Sequence, residues 1–278
     1  MRSLWFGVLV CAAFFVACGD DDSSFATRPS DGSSLSSKKQ GDGGSEAAMT
    51  SSSAKSSSSV KSSSSSAKSS DSVAGCKTEM KDDCEYGKLK DDRDGQTYKI
   101  VKIGDQWWMA ENLNYEVDSS FCYNDSAEYC EKYGRLYRWA AAVGKSESEC
   151  GYDGTCSLPT GSIQGVCPSG WHLPRKYEWE TLFNAVDGQS TAGRVLKSTS
   201  GWESNGNGTD SFGFSALPAG YREKKVDYYN EGGLALFWSS TENISFSAYY
   251  MGLDFNHDDA GLNYDDKNSE FSVRCLKD

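Results

Sequence analysis

Histidine, positive charge and long apolar runs are all scarce in this chain, and each scarcity removes a class of function. The two histidines, His172 and His257, stand near no cysteine pair in finger spacing, and no CxxC occurs, which argues against a structural zinc site. Only 28 Lys and Arg face 40 Asp and Glu, a formal charge of -12. That balance argues against nucleic acid, which demands a basic footprint, and against anionic membrane surfaces. The apolar run at residues 4–16 is about a dozen residues long, where a membrane span needs roughly 20. There is no GxSxG nucleophile elbow and no EF-hand spacing.

What is present begins with "MRSLWFGVLVCAAFFVACGDDDSS". Arg2 followed by the short apolar run is signal-peptide anatomy over residues 1–17. Small residues directly before Cys18 resemble the bacterial lipobox, in which that cysteine is lipidated; ordinary secretion with a chance Cys18 is the alternative. Asp20, Asp21 and Asp22 read equally as a surface-export signal or as a solvated charge run. Residues 18–73 are dominated by Ser, Lys and Asp, as in "AKSSSSVKSSSSSAKSS", and offer nothing to bury, so a disordered tether is expected. About 50 such residues span ~40 Å r.m.s.. The expected location is the bacterial cell envelope, lipid-anchored, at the outer membrane and exposed on the cell surface.

Residues 74–278 are rich in aromatics and turn signals and suffice for one core. They hold eight cysteines, Cys76, Cys84, Cys122, Cys130, Cys150, Cys156, Cys167 and Cys275, an even number that reads as disulfides in an exported domain. Eight cysteines allow 105 connectivities. Three pairs are close in sequence (Cys76 with Cys84, Cys122 with Cys130, Cys150 with Cys156), which would leave Cys167 for Cys275. The alternation in residues 97–103 and 106–110, around Gly104 and Asp105, predicts a hairpin with Trp107 and Trp108 on opposite faces. Tyr133, Leu136, Tyr137 and Ala140, ending at Gly144, predict an amphipathic helix. A second helix is expected from Pro174 in its first turn, through Trp179, Leu182, Phe183 and Val186, to Gly188 as its cap. A short strand is expected at residues 212–217, and "ALFWSSTEN", "SAYYMGLDF" and "EFSVRCLKD" predict a terminal antiparallel meander. The class is α+β.

The segments "DGQTYKIVKIGDQWWMAENLNY", "YGRLYRWAAA", "CPSGWHLPRKYEWETL", "GTDSFGFSALPAGYR", "FWSSTE" and "FSVRC" together resemble the Fibrobacter succinogenes major paralogous domain family. That family is grouped with C-type-lectin-like folds and with formylglycine-generating, sulfatase-modifying domains. The resemblance implies two helices, long irregular loops and a small terminal antiparallel sheet, and it supplies no activity. "HLPRKYEWETL" is similar to a sulfatase-modifying segment with His172 in place of Arg, and without a nucleophile His172 reads as a ring bonded to a backbone carbonyl before a helix. No catalytic residue is assigned. The lectin-type Glu-Pro-Asn motif is absent, and a weak calcium site at Asp254, Asn256, Asp258 and Asp259 is weighed against an exposed acidic hairpin loop. No other cofactor is expected. Aromatics beside polar loop residues suit a sugar or peptide face, which makes Trp202, Asn205, Tyr221, Arg222, Tyr228, Trp238 and Glu242 the candidate ligand contacts. Tyr229, Asn207 and Asp210 stand among them. The resulting expectation is a lipid-anchored surface binding or adhesion module for a polysaccharide or surface protein. The alternative is a divergent sulfatase-modifying-like enzyme acting on exported proteins or glycans.

Overall fold

The computed structural model describes residues 73–223 and 227–278. The signal segment, Cys18, the three aspartates after it and the Ser-rich tract lie outside the described residues. The first strands follow the alternation. β1 (Tyr86–Lys90), β2 (Thr97–Ile103) and β3 (Gln106–Met109) pair antiparallel in that order. Gly104, at φ 59°, makes the β2–β3 turn. Trp108 is wholly buried, whereas Trp107 is half-buried and packs on the opposite side of the strand.

β4 (Ser120–Phe121), α1 (Ala127–Tyr133), β5 (Leu136–Arg138), α2 (Trp139–Ala142) and α3 (Glu147–Cys150) follow. The single helix expected through Tyr133, Leu136, Tyr137 and Ala140 is therefore corrected: all four are buried, but on three elements. Gly134 breaks the helix at φ 73°, where a Cβ would lie 2.8 Å from the Leu113 carbonyl oxygen. Leu136 and Tyr137 then enter a sheet, so non-local pairing overrides a helical spacing.

β6 (Trp171–His172) leads into α4 (Lys176–Ala185) and α5 (Gln189–Leu196). Trp179, Leu182 and Phe183 form the buried stripe of α4, as expected. Its N-cap is Arg175, so Pro174 precedes the helix instead of occupying its first turn. The left-handed residue after it is Asp187 (φ 74°), and the Gly188 N–H closes on the Phe183 carbonyl at 2.8 Å, a Schellman-type end. Helix α5 was not anticipated, because Gly193 and its polar neighbours weaken the stripe. Gly193 is required: a Cβ there would sit 2.2 Å from the Asp259 carbonyl oxygen, and this close approach lays α5 against the acidic hairpin.

β7 (Tyr221–Glu223), β8 (Asp227–Tyr229), β9 (Leu234–Ile244), β10 (Ser247–Asp254), β11 (Ala260–Asp266), β12 (Glu270–Ser272) and β13 (Leu276–Lys277) complete the chain. Residues 212–217 form a loop instead of the expected strand, with one parallel β-bridge, between Lys197 and Ala216. The terminal segments are not one meander. β9, β10 and β11 are antiparallel neighbours, but β12 lies parallel to β9 and antiparallel to β5. β13 crosses to the other sheet, between β3 and β6. The described residues thus form an α+β domain with sheet orders β1-β2-β3-β13-β6 and β11-β10-β9-β12-β5-β4, β7 and β8 branching from β12.

β9 is buried on both faces and separates two apolar clusters. Phe237 faces Trp108 and Trp179, whose ring centroids are 4.7 Å apart; Trp238 stacks on Phe271 at 4.2 Å. Arg274, wholly buried, joins the layers. Its Nε donates to Asn112 Oδ1 at 2.8 Å, its Nη2 to the Ser215 carbonyl at 2.9 Å, and its Nη1 to the Phe214 carbonyl. Its guanidinium also lies over the Phe214 and Phe237 rings. Burial lowers its pKa to about 9, so it remains charged at neutral pH.

Four disulfides brace the domain: Cys76–Cys84, Cys122–Cys130, Cys150–Cys156 and Cys167–Cys275. The last closes 108 residues of chain, the third only 6. Loop-closure entropy then predicts a loss of about 5 kcal/mol on replacing Cys167 and Cys275 by alanine, against about 2 kcal/mol for Cys150 and Cys156. Urea unfolding of the two double variants measures the difference. Arg274→Met, which strands three buried acceptors, is expected to cost about 3 kcal/mol or more in the same assay.

Candidate functional site

The register of β9, β10 and β11 determines which side chains share the face turned away from α4 and α5. Leu234, Leu236 and Trp238 of β9 pair with Asp254, Gly252 and Tyr250 of β10, and Gly252 and Tyr250 pair with Gly261 and Asn263 of β11. Residues between them, such as Phe237, Met251 and Leu253, point the other way, into the cluster formed with α4 and α5. Two glycines therefore face each other at the centre of that face. A glycine inside a strand marks a bend or the close approach of another group. Here the Tyr250 ring and Leu236 close over Gly252 and the Asn263 amide over Gly261, and a hollow of about 390 Å³ is lined by these residues. Tyr250 and Tyr221 stand beside it, Leu234 and Leu236 line its apolar part, and Asp254, His257, Asp259, Asn263 and Asp265 supply its polar part. Both tyrosines rest edge-on against Phe271, at 5.0 and 6.0 Å between centroids. Burial raises the pKa of both phenols, and Glu223 and Asp265 add to the effect on Tyr221 and Asp265 on Tyr250.

Of the seven candidate contacts, only Tyr221 lines this hollow. Trp202 is corrected to a core residue: it is buried, and its indole N–H donates to Ser198 Oγ and the Ala216 carbonyl, both at 3.1 Å. Trp238 is corrected likewise, being wholly buried with its N–H on the Tyr137 carbonyl at 2.7 Å. Glu242 serves the buried Lys267 ammonium, and Asn205 lies exposed in a left-handed turn at φ 62°. Arg222 and Tyr228 pair across β7 and β8 on the face opposite Tyr221 and Tyr229. Arg222 lies 3.3 Å from Glu270, which Arg138 also holds, and Tyr228 donates to Asp125 at 2.6 Å. The residues missed, Leu236, Tyr250, Gly252, Gly261 and Asn263, did leave a trace in the sequence, namely single glycines inside two alternating runs.

The acidic hairpin is closed by a lysine. Lys197, buried at 2% exposure, extends its ammonium to the carbonyls of Asp254 and His257, each at 2.9 Å. Two of the oxygens a calcium ion would need from this loop thus already hold a cation. Asp254 Oδ1 accepts the Asn256 N–H at 3.0 Å, and Asn256, Asp258 and Asp259 are exposed. Among the described residues no group of three or more His, Cys, Asp and Glu is arranged to hold a metal.

His172 is bonded differently from the expectation. Its Nδ1 lies 2.7 Å from Asp278 Oδ1 and its Nε2 3.1 Å from Glu178 Oε1, so two carboxylates replace the anticipated carbonyl. Glu178 also accepts the Arg175 N–H at 2.7 Å, tying the ring to the start of α4. A cleft of about 530 Å³, lined by Trp107, Ser162 and Gln164 among others, opens beside it. With both ring nitrogens bound to carboxylates, neither is available to take a proton from a nucleophile. Burial pulls the His172 pKa down, but Glu178 and then Asp278 outweigh it and the net shift is upward. Burial raises Glu178, but the bonds to His172 and Arg175 outweigh that and its pKa falls.

The sequence model of the Fibrobacter succinogenes major domain matches residues 101–277, and the chain belongs to that family. No curated protein and no solved structure matches it.

The His172 cluster gives a signed pH dependence. A raised histidine pKa contributes stability that is present below the ordinary value of 6.5 and is lost as pH rises through the folded-state value. A lowered Glu178 contributes stability above its ordinary 4.5 that is lost as pH falls. The cluster is strongest between those limits. His172→Gln is expected to flatten the decline of the unfolding midpoint above pH 6.5 relative to the parent chain.

Proposed function

We propose that this chain is a lipid-anchored, lectin-like binding module displayed at the surface of a bacterial outer membrane, and that its ligand enters the β9–β11 hollow. In this reading Cys18 carries the lipid, residues 18–73 are the tether and the disulfide-braced domain presents the site. The carrying observation is the hollow over the paired Gly252 and Gly261, lined by two tyrosines, two leucines and a polar rim. Apolar walls with a few convergent polar groups are the usual make-up of a small-ligand site, and rings beside carboxylates and an amide suit a polysaccharide or an exposed surface component. The alternative is sulfatase-modifying-like chemistry on exported proteins or glycans; an oxidase of that group uses a reactive cysteine pair late in the domain, and the late cysteine here, Cys275, is bridged to Cys167, which supports the binding reading.

Binding of the full chain to a panel of purified polysaccharides tests the proposal. Tyr221→Ala combined with Tyr250→Ala is expected to weaken binding at least tenfold. Trp202→Phe, a core change, should lower stability and leave affinity unchanged. Binding that survives the tyrosine pair in a chain of unaltered melting behaviour would remove the hollow from the proposal.

A further inference from the structure

We infer that a pocket between Arg138 and the Cys150–Cys156 loop is a sugar site separate from the hollow, built for the hydroxyls of a neutral ring. It lies at the other end of β9, where that strand turns into β10, and rests on different residues. Three connections meet there. The β9–β10 turn carries Phe246, the β11–β12 turn carries Asn268, and the loop closed by the Cys150–Cys156 disulfide carries Tyr152 and Asp153. A buried lysine joins the two turns. Lys267 donates its backbone N–H to the Phe246 carbonyl at 3.0 Å and its ammonium to the Ser245 carbonyl at 2.7 Å. The Trp139 N–H donates back to the Lys267 carbonyl at 3.2 Å, which ties both turns to the end of β5, where Arg138 stands. A frame held in place before the ligand arrives costs less to order on binding.

The polar groups of this pocket are unmet. It encloses about 390 Å³, and Arg138, Glu147, Tyr152, Asp153 and Asn268 are among its lining residues. The Arg138 side chain is 7% exposed, and its Nε donates to Glu270 at 3.0 Å. Neither of its terminal nitrogens makes a hydrogen bond among the described residues. The carboxylate opposite, Glu147, holds its Oε1 3.8 Å from Arg138 Nη1, beyond hydrogen-bond range, and that buried oxygen has no partner either. Buried polar groups are as a rule paired. A donor and an acceptor that face each other without touching therefore mark the place of a group that both accepts and donates.

A sugar hydroxyl does both through one oxygen, accepting from the guanidinium and donating to the carboxylate. A trans peptide group sends its C=O and N–H in opposite directions, so a peptide backbone does not meet two groups on one wall. A uronate would bring its charge beside Glu147 and Asp153, and an amino sugar would bring its ammonium beside Arg138. The remaining side of the pocket is apolar. The Tyr152 ring lines it and packs on Phe246 with centroids 5.8 Å apart, and the two are 39% and 45% exposed. Exposed rings beside hydrogen-bonding groups suit the C–H face and the hydroxyl edge of one pyranose.

Hydroxyl-radical footprinting and titration calorimetry on the full chain test the site. The probes are β-linked hexamers of glucose, xylose and mannose, a galacturonate hexamer and a glucosamine hexamer. A neutral hexamer is expected to protect Tyr152 and Phe246. It should still protect them in the Tyr221→Ala, Tyr250→Ala chain, where the weaker binding that remains belongs to this pocket. In that background Tyr152→Ala, a change at an exposed side chain, is expected to weaken the remaining binding about tenfold. Glu147→Gln, which keeps the shape and removes the charge, is expected to weaken it about fivefold. Protection confined to Tyr221 and Tyr250 would overturn this site and leave the hollow standing. Protection at Tyr152 with an affinity untouched by the tyrosine pair would remove the hollow and leave this site. Remaining binding indifferent to Tyr152→Ala would overturn the pocket, and tighter binding of the galacturonate or glucosamine hexamer there would overturn the neutral class. No protection by any sugar at either place would overturn both sites.

Discussion

A guanidinium with no carboxylate within ion-pair distance among the described residues lies at the junction of this fold's layers. Arg274 is wholly buried, and its direct partners are dipoles: the Asn112 amide oxygen, the carbonyls of Phe214 and Ser215, and two aromatic faces, with the Asp210 and Glu111 carboxylates attracting it from further away. A buried charge is costly unless its hydrogen bonds are met, so each of these acceptors must be in place before the arrangement is favourable. The three acceptors come from distant parts of the chain, the segment after β3 and the loop before β7. One side chain therefore sets the position of two irregular segments that have no ladder of their own. Asp210 reinforces the second, accepting the Ser215 N–H and hydroxyl while pairing with Lys77, which brings the start of the domain to the same place.

The hollow depends on this junction through β12. Arg274 lies two residues beyond the strand that carries Phe271, and Ser272 lies beside Phe237 in parallel register. That register places the Phe271 ring against Trp238, Tyr221 and Tyr250 at once. Without it the two tyrosines would have no common support. The opposite side is fixed by α5, whose Gly193 admits the hairpin backbone and whose succeeding Lys197 binds the hairpin carbonyls. The site is thus set between a strand held by a buried arginine and a turn held by a buried lysine.

What could be read from the sequence was what depends on near neighbours. The β2–β3 hairpin, the Trp179 stripe of α4 and the strands β9 and β10 are all local features, and all are present, although β9 is a continuous buried run and not an alternation. The spacing of Tyr133, Leu136, Tyr137 and Ala140 misled because burial alone does not distinguish a helix from a strand entering a sheet. Trp202 and Trp238 misled for a related reason: an indole in a glycine-rich loop or near a strand end reads as exposed until the partner layer is known. Their N–H groups are met by backbone carbonyls, so they need neither water nor ligand. The hollow was illegible as a unit because it is a property of register. Gly252 and Gly261 are nine positions apart, and nothing in either strand states that they will face each other.

The acidic hairpin shows why charge pattern and chemistry have to be separated. In sequence, Asp254, Asn256, Asp258 and Asp259 resemble oxygen ligands awaiting a cation. In three dimensions the fold supplies the cation itself: an ammonium two-coordinated by backbone oxygens lies where the chain turns, with Asp258 and Asp259 exposed and Asp254 bonded to the Asn256 N–H. A lysine in that place costs the desolvation of its charge, which lowers its pKa, but it fixes the hairpin with no metal to recruit. Of the loop's aspartates, Asp254 and Asp259 lie on the rim of the hollow, Asp254 also accepting the Asn256 N–H. A loop whose turn is closed by its own ammonium needs no ion to hold its shape, and the same lysine fixes one edge of the hollow.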